Sequence, residues 1–401
     1  MKVVVALTSS SSQLSGIPRH AINLARCLLL LREVSVVDLL VAPWQKELVL
    51  ASFPHKAPRL HIHTAITRNN ALSRNAWYYT ELPKHARQLR ADVVHLAYPV
   101  PVSRGRYHCP VVVSLHDLYP YDIPKNFGFP KVLINRIVLR NCLTEADAIA
   151  CVSRDTEFRL ISRWHGRFAK KASIIPNVVD QSTEDAGSLG QRIEVALAPM
   201  HGRSFLLCVS QHRKNKNIVL ALQVFCNLLR TGSLSAGTCL LIVGIPGPET
   251  KAILKFVQKN RLTSNVLLVS GISEQELRWC YRNCQVLLAP SEIEGFGLPV
   301  AEATRIGCRI VCSDIGAFRE LHSPHCRYVH LGPDAIESLS AAIVDSLRED
   351  VPEPMDFPEL SASAVADKYL HLYRSLLTAR HNAQQSIETL SLKSRERRRF
   401  I

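Results

Sequence analysis

No Cys-x-x-Cys pair occurs in this sequence, although twelve cysteines are spread over its 401 residues. That absence removes the usual zinc-ribbon and thioredoxin-like patterns. Cys280 and Cys284, like Cys308 and Cys312, sit four apart in apolar surroundings with no histidine at zinc-ligand spacing. They therefore read as packed core thiols rather than metal ligands. Scattered thiols of this kind fit a reducing, cytosolic compartment. Also missing is an apolar run of the ~20 residues that cross a bilayer, because Arg32, Glu33 and Asp38 break up the stretch 27–41. Residues 1–7 carry one positive charge before a short apolar run, and polar residues 8–13 follow at once. This is the pattern of a buried first strand rather than a secretory signal. Aromatic residues make up only 6% of the chain, and no nucleic-acid recognition motif interleaves them with basic ones. A nucleic-acid-binding protein is thus disfavoured.

What the chain has is apolar content and positive charge. Hydrophobic residues are 47% and charged residues 21% of the total, enough for a sizeable core. At ~150 residues per domain the length suggests two or three domains. Lysine and arginine number 49 against 34 acidic residues, a net charge of +15 and a pI near 9.4. Such an excess favours polyanionic partners: nucleic acid, an acidic membrane surface or phosphorylated small molecules. About +10 of it falls before residue 200, so the halves are electrostatically unequal.

Short β-branched runs alternate with helical spacing, the signature of βαβ units and parallel sheets. The first half offers strands at 3–7, 36–41, 60–63, 93–96, 111–115, 148–152 and 172–175. A polar, turn-rich stretch at 181–188 reads as a linker. A second series follows at 205–209, 240–243, 266–269, 286–289 and 310–312. Two doubly wound α/β domains facing one another are expected, 1–180 and 181–362, with ligands beyond the carboxyl ends of the strands. A helix at 364–377 falls in a segment 363–380 expected to pack back toward the first domain. A basic tail, 381–401, follows, with its charges clustered at 393–399.

The most informative stretch is 290–302, Pro-Ser-Glu-Ile-Glu-Gly-Phe-Gly-Leu-Pro-Val-Ala-Glu. A strand ends, glycines flank an aromatic residue, and Pro299 stands at a helix's first turn, where proline is tolerated best. Unpaired N–H groups and the helix dipole there favour an anion. Glu294 and Glu302 would repel a phosphate unless they address something else, and sugar hydroxyls are the natural partners.

Glu294 and Glu302, with Gly-Phe-Gly-Leu-Pro between them, resemble the signature of retaining, nucleotide-sugar-dependent glycosyltransferases of family 4, also called group 1. Ser15-Gly16-Ile17-Pro18-Arg19, Leu115-His116-Asp117, Ile175-Pro176-Asn177, Lys216-Asn217 and Val243-Gly244 extend the resemblance, in the family's order, over nearly the whole chain. The resemblance implies the GT-B arrangement: two facing Rossmann-like domains with a nucleotide-sugar cleft between them, the first on the acceptor side and the second holding the nucleotide. It also implies that Glu294 contacts the sugar, Glu302 holds the ribose, the backbone N–H groups of Gly297 and Leu298 meet the phosphates, and Gly295 and Phe296 belong to the same donor-binding loop. By the same resemblance Lys216 neutralises the departing diphosphate, Gly16 allows close approach of the first-domain loop, and His116 faces the transferred sugar. Glu320 falls where the family often has a further acidic residue, with no role that the sequence supplies.

Three positions depart from the family's pattern. Ser210-Gln211 stand where glycine and often arginine are usual, which leaves Arg213 as the best second cation on the diphosphate. Asn177-Val178 replaces Asn-Gly, and Ser15-Gly16 replaces a paired glycine.

The resulting expectation is a retaining, metal-independent hexosyltransferase with no cofactor, its nucleotide sugar being the substrate. The acceptor is a saccharide or lipid-linked saccharide of surface polysaccharide or lipopolysaccharide assembly, reached from the cytoplasm at the inner face of an anionic membrane. GDP-mannose is preferred over a UDP-sugar, although the base pocket does not decide this. A double displacement would need a carboxylate nucleophile, whereas the resemblance implies front-face departure with the leaving phosphate assisting the acceptor. A nucleotide-sugar epimerase or phosphorylase on the same plan is the alternative.

Overall fold

The computed structural model describes residues 1–13, 15–53, 57–179 and 197–397, with backbone only for residue 384 and residues 386–397. The linker expected at 181–188 and the basic cluster at 393–399 lie outside the described residues or side chains.

Seven strands form the first sheet: β1 (Lys2–Leu7), β2 (Val36–Val41), β3 (Leu60–Thr64), β4 (Val93–Leu96), β5 (Val111–Leu115), β6 (Ala148–Cys151) and β7 (Ala172–Ile174). Their order is β3-β2-β1-β4-β5-β6-β7, and the paired strands are parallel. The second sheet contains β8 (Phe205–Val209), β9 (Cys239–Val243), β10 (Val266–Val269), β11 (Val286–Ala289), β12 (Ile310–Ser313) and β13 (Cys326–Val329), ordered β10-β9-β8-β11-β12-β13. Both sheets are parallel α/β sheets whose strand order reverses once, between β1 and β4 and between β8 and β11. In such sheets the reversal leaves a crevice beyond the carboxyl ends, where ligands bind.

Helices cover both faces, so the central strands are apolar throughout rather than alternating. In β1, Val3, Val5 and Leu7 enter one core with the helix Gly16–Leu30, while Val4 and Ala6 enter the other with Trp77, Tyr78 and Leu82. In β8, Phe205 and Leu207 divide from Leu206 and Cys208 in the same way. All twelve cysteines are free and either buried or half-buried, and no described helix is long and apolar enough to cross a membrane.

After completing the second sheet the chain returns to the first. Val365, Ala366, Tyr369, Leu370, Leu372 and Tyr373 of the helix Ala362–Arg397 lie in the first sheet's core. This helix runs well past the 364–377 read from the sequence, because apolar periodicity stops at Leu377 while the following polar residues remain good helix formers. Strand β13 was absent from the sequence reading. It is an edge strand of mixed composition, and only Val329 is fully buried.

Across β4, β5 and two helices runs a chain of buried polar side chains. Tyr373 OH lies 2.6 Å from His95 Nδ1, and His95 Nε2 lies 2.8 Å from Ser114 Oγ. Ser114 Oγ is also 2.8 Å from His20 Nε2, and His20 Nδ1 is 2.8 Å from Asn177 Oδ1. Asn177 oxygen can only accept, so the chain has one consistent direction: each neutral imidazole donates once and accepts once. Burial pushes His95 down to about 3 and His20 well below the ordinary imidazole range.

Candidate functional site

The carboxyl ends of the two sheets face each other, and their loops touch. Tyr119, just after β5, donates to Glu294 Oε2 at 3.4 Å. Asn126 donates to Asn215 Oδ1 at 3.0 Å, and Arg159 donates to the Glu294 carbonyl at 2.7 Å. Gly295 meets the His116 carbonyl so closely that a Cβ would lie 1.7 Å from its oxygen, so only glycine fits there. The Gly295 carbonyl in turn accepts from Ser153 Oγ at 2.6 Å and Thr156 Oγ1 at 3.1 Å.

The centre of this region stands at the second reversal point. The loop after β8 makes a short turn, Lys214–Lys216, and Asn217 then takes a left-handed conformation (φ 49°) before the helix Ile218–Arg230. This turn aims Lys216 at the loop after β11, where Lys216 Nζ donates to Glu294 Oε1 at 2.5 Å. Ser291 Oγ donates to the same oxygen at 2.8 Å. Glu294 is 8% exposed, so its charge is compensated locally, as a buried carboxylate requires. Buried Asn215 locks the two loops together: it donates to the Ile293 carbonyl at 3.2 Å and accepts from Glu292 N–H at 2.8 Å. The Arg213 guanidinium makes no hydrogen bond or ion pair among the described residues, although its backbone N–H donates to the Gln211 carbonyl at 2.7 Å. Its charge is felt at Asp117, whose carboxyl is pushed up by burial against the pull of Tyr119 N–H, His116, Arg213 and Arg159.

Beyond Gly297 the helix Leu298–Ile306 begins, with Pro299 in its first turn. Gly297 has φ +94°, and a Cβ would come within 2.7 Å of the Phe318 ring, which excludes any side chain. The backbone N–H groups opening this helix thus sit on the loop that carries Glu294. Phe296 points its side chain into the second core, leaving only its backbone on the cleft side. Glu302, one turn into the helix, accepts from Arg19 of the first helix at 2.9 Å and from Tyr281 OH at 2.9 Å. Arg19 also reaches Glu274 at 3.5 Å.

From the opposite wall, His116 Nε2 donates to the Ala97 carbonyl at 2.8 Å. In the neutral ring this leaves Nδ1 as an acceptor, and burial pushes the imidazole toward that neutral form. Its ring meets His20 edge-on at 4.5 Å, which joins it to the buried polar chain. Gly16 is the exposed first residue of its helix, and an added Cβ would meet no described atom within 4 Å.

The structure therefore gathers Lys216, Glu294, Arg213, Gly295, Gly297, Leu298 and Glu302 from two loops and one helix, with His116 opposite. Arg19, Tyr281, Tyr119, Ser291 and Arg159 belong to the same cluster, and sequence reasoning did not select them. Arg19 stood in the quoted 15–19 run, three residues into a helix start, but its partner is 283 residues away. Glu320 acquires a place: its carboxylate accepts from the backbone N–H of Arg154 at 2.9 Å and Asp155 at 3.2 Å. It thereby caps, from across the cleft, the helix Arg154–Arg163.

Comparison with known proteins adds an independent line. Residues 191–359 match the family described as glycosyl transferases group 1, and residues 14–183 match glycosyltransferase family 4. The chain is 22% identical over 370 residues to the O-antigen chain mannosyltransferase B of Escherichia coli, covering 87% of this chain and 91% of that one. Its fold is similar to that of WaaG, a glycosyltransferase involved in lipopolysaccharide biosynthesis, with a TM-score of 0.66 at 16% identity over 94% of this chain and 98% of the other. It is also similar to Anabaena Alr3699/HepE in complex with UDP and glucose, with a TM-score of 0.61 at 15% identity over 97% and 99% of the two chains.

Proposed function

Because the chain belongs to the group 1 glycosyl transferases, with the GT-B fold, we propose that it moves a hexose from a nucleoside diphosphate sugar to a saccharide or lipid-linked saccharide acceptor in lipopolysaccharide or O-antigen synthesis. The observation that carries this reading is the half-buried Lys216–Glu294 pair at the strand-order reversal, beside the helix start at Gly297 and Leu298. A diphosphate seated on those N–H groups would draw Lys216 toward it. Lys216 and Arg213 then stabilise the charge that grows on the leaving phosphate, the largest single contribution an enclosed polar site makes to such a reaction. Glu294, released from Lys216 and still held by Ser291, accepts from sugar hydroxyls. Glu302 takes the ribose hydroxyls, with Arg19 and Tyr281 orienting it.

His116 offers Nδ1 to a hydroxyl of the transferred sugar, and Gly16 lets the first-domain loop approach the diphosphate. Retention follows from front-face departure, in which the leaving phosphate takes the acceptor's proton. A mannosyl donor is preferred because the Escherichia coli relative is an O-antigen chain mannosyltransferase. An anionic membrane surface is the proposed setting. The row Phe129, Leu133, Ile134 and Ile137 is exposed on the first unit beside exposed Lys125, Lys131 and Arg140, the composition of a surface that rests on anionic lipid.

The reading is tested by a thermal-shift panel of nucleoside diphosphates and their sugars, since a ligand that binds only the folded state raises its melting temperature. We expect a response to GDP and GDP-mannose above that to the uridine compounds. A response to neither series overturns the nucleotide-sugar site, and a uridine-only response overturns the donor preference. Free epimerised nucleotide sugar or a requirement for orthophosphate among the products would replace transfer by epimerisation or phosphorolysis.

A further inference from the structure

The edge of the first sheet holds a cluster that the proposed transfer reaction does not use. In the register of β2 with β3, Asp38 stands beside His61 and Leu40 beside His63. Side chains two apart on a strand share a face, so both imidazoles project on the face of Asp38. His63 Nε2 lies 2.7 Å and His61 Nδ1 3.4 Å from Asp38 Oδ1, and the three ligand atoms are all within 4.8 Å of one another.

Asp38 interrupts an otherwise apolar strand, Val-Val-Asp-Leu-Leu-Val, and is 2% exposed. Its neighbour on that face, Leu40, packs with Trp77, Tyr78 and Leu82. A carboxylate removed from water needs a compensating positive charge or a full set of hydrogen bonds. Among the described residues neither a backbone N–H nor a lysine or arginine meets Asp38. Among those residues the carboxylate's only partners are the two imidazoles, and neither ring's other nitrogen is bound to a described residue.

We propose that Asp38, His61 and His63 form a zinc-binding site that ties edge strand β3 to β2. Two imidazole nitrogens and one carboxylate oxygen suit zinc, which tolerates three protein ligands with water in the fourth position. The absence of sulfur disfavours soft monovalent copper, and two nitrogens disfavour magnesium and calcium, which take oxygen ligands. Tetrahedral zinc with bonds of roughly 2.0–2.2 Å holds its ligand atoms about 3.3–3.5 Å apart. The observed separations require only a small opening of the Asp38–His63 contact, and the His61 side chain, 55% exposed, is free to turn. An edge strand presents unpaired backbone groups, and a metal bridging it to its neighbour restrains it where hydrogen bonding on one side cannot.

The test uses the full chain, stripped with a chelator and titrated with Zn²⁺ by calorimetry, beside the variant His61→Ala/His63→Ala. Both positions are at least partly exposed, but their loss leaves the buried Asp38 carboxylate unpartnered, so the variant's fold is checked by circular dichroism and Asp38→Asn/His61→Ala/His63→Ala, which carries no buried charge, is titrated beside it. Wild type should bind one saturable equivalent, and its melting temperature should rise with zinc. The variant should lose that rise and bind at least about 100-fold more weakly. Twelve free cysteines could also take zinc, so Co²⁺ serves as reporter: the wild-type spectrum should lack a thiolate charge-transfer band. Absence of a saturable equivalent in wild type, equal binding in the variant, or a thiolate band would each overturn the proposal. Asp38→Asn, which keeps the shape and removes the charge, should weaken Zn²⁺ binding as well.

Discussion

Glu294 and Lys216 compensate each other before any substrate is bound, so each is held ready by the other. Replacing Lys216 by alanine leaves Glu294 with Ser291 and Tyr119, and replacing Glu294 by alanine leaves Lys216, whose side chain is already 17% exposed, able to reach water. Neither change empties a core position, so the fold should persist. We predict that both Glu294→Ala and Lys216→Ala lower turnover by about 100-fold or more, with unchanged circular dichroism; near wild-type turnover would sink the assignment of both residues. At this scale the spacing of 290–302 with Lys216 was legible, because the groups that shape one loop lie together in sequence. Arg19 and Tyr281 were not legible. They reach Glu302 from separate helices, and nothing local to either marks a partner that distant.

Elements join through the buried chain Tyr373–His95–Ser114–His20–Asn177, which fastens the last helix and the junction residue Asn177 to the first sheet. Its sign in a pH titration follows from its burial. The folded state holds His95 down to about 3, whereas an unfolded imidazole titrates near ~6.5. The unfolded chain therefore takes up a proton that the folded chain refuses. The stability contributed is complete above about pH 6.5 and drains away as pH falls toward about 3, at about 1.4 kcal/mol per pH unit for each such histidine. Denaturation midpoints measured at pH 7 and pH 5 should fall more steeply for wild type than for His95→Gln, and equal slopes would remove His95 from the linkage. Sequence periodicity had located most of the strands, since strands buried on both faces announce themselves as apolar runs. It missed β13 and shortened the last helix, because an edge strand and a polar helix end lack that signal.

For the whole molecule, the +15 net charge is far more than the proposed diphosphate site would employ. Arg213 and Lys216 account for two cations at the cleft, while exposed Lys125, Lys131 and Arg140 border an exposed apolar row on the first unit. Binding to anionic vesicles should be detectable at low salt and should weaken as salt is raised. Failure to bind at low ionic strength would leave the charge excess without a membrane role.

The sequence by itself determined the alternating α/β pattern and the loop 290–302, whose glycines and proline dictate a turn and a helix start through local backbone sterics. Those properties depend on neighbours in the chain and survive without knowledge of the rest. Only the tertiary structure decided that Arg19 would answer Glu302, that Glu320 would cap a helix of the other unit, and that the His116 carbonyl would press on Gly295. It likewise brought Asp38 beside His61 and His63. Each of these contacts joins residues far apart in the chain, and their meeting depends on strand register and on how the two sheets face, which no local pattern encodes.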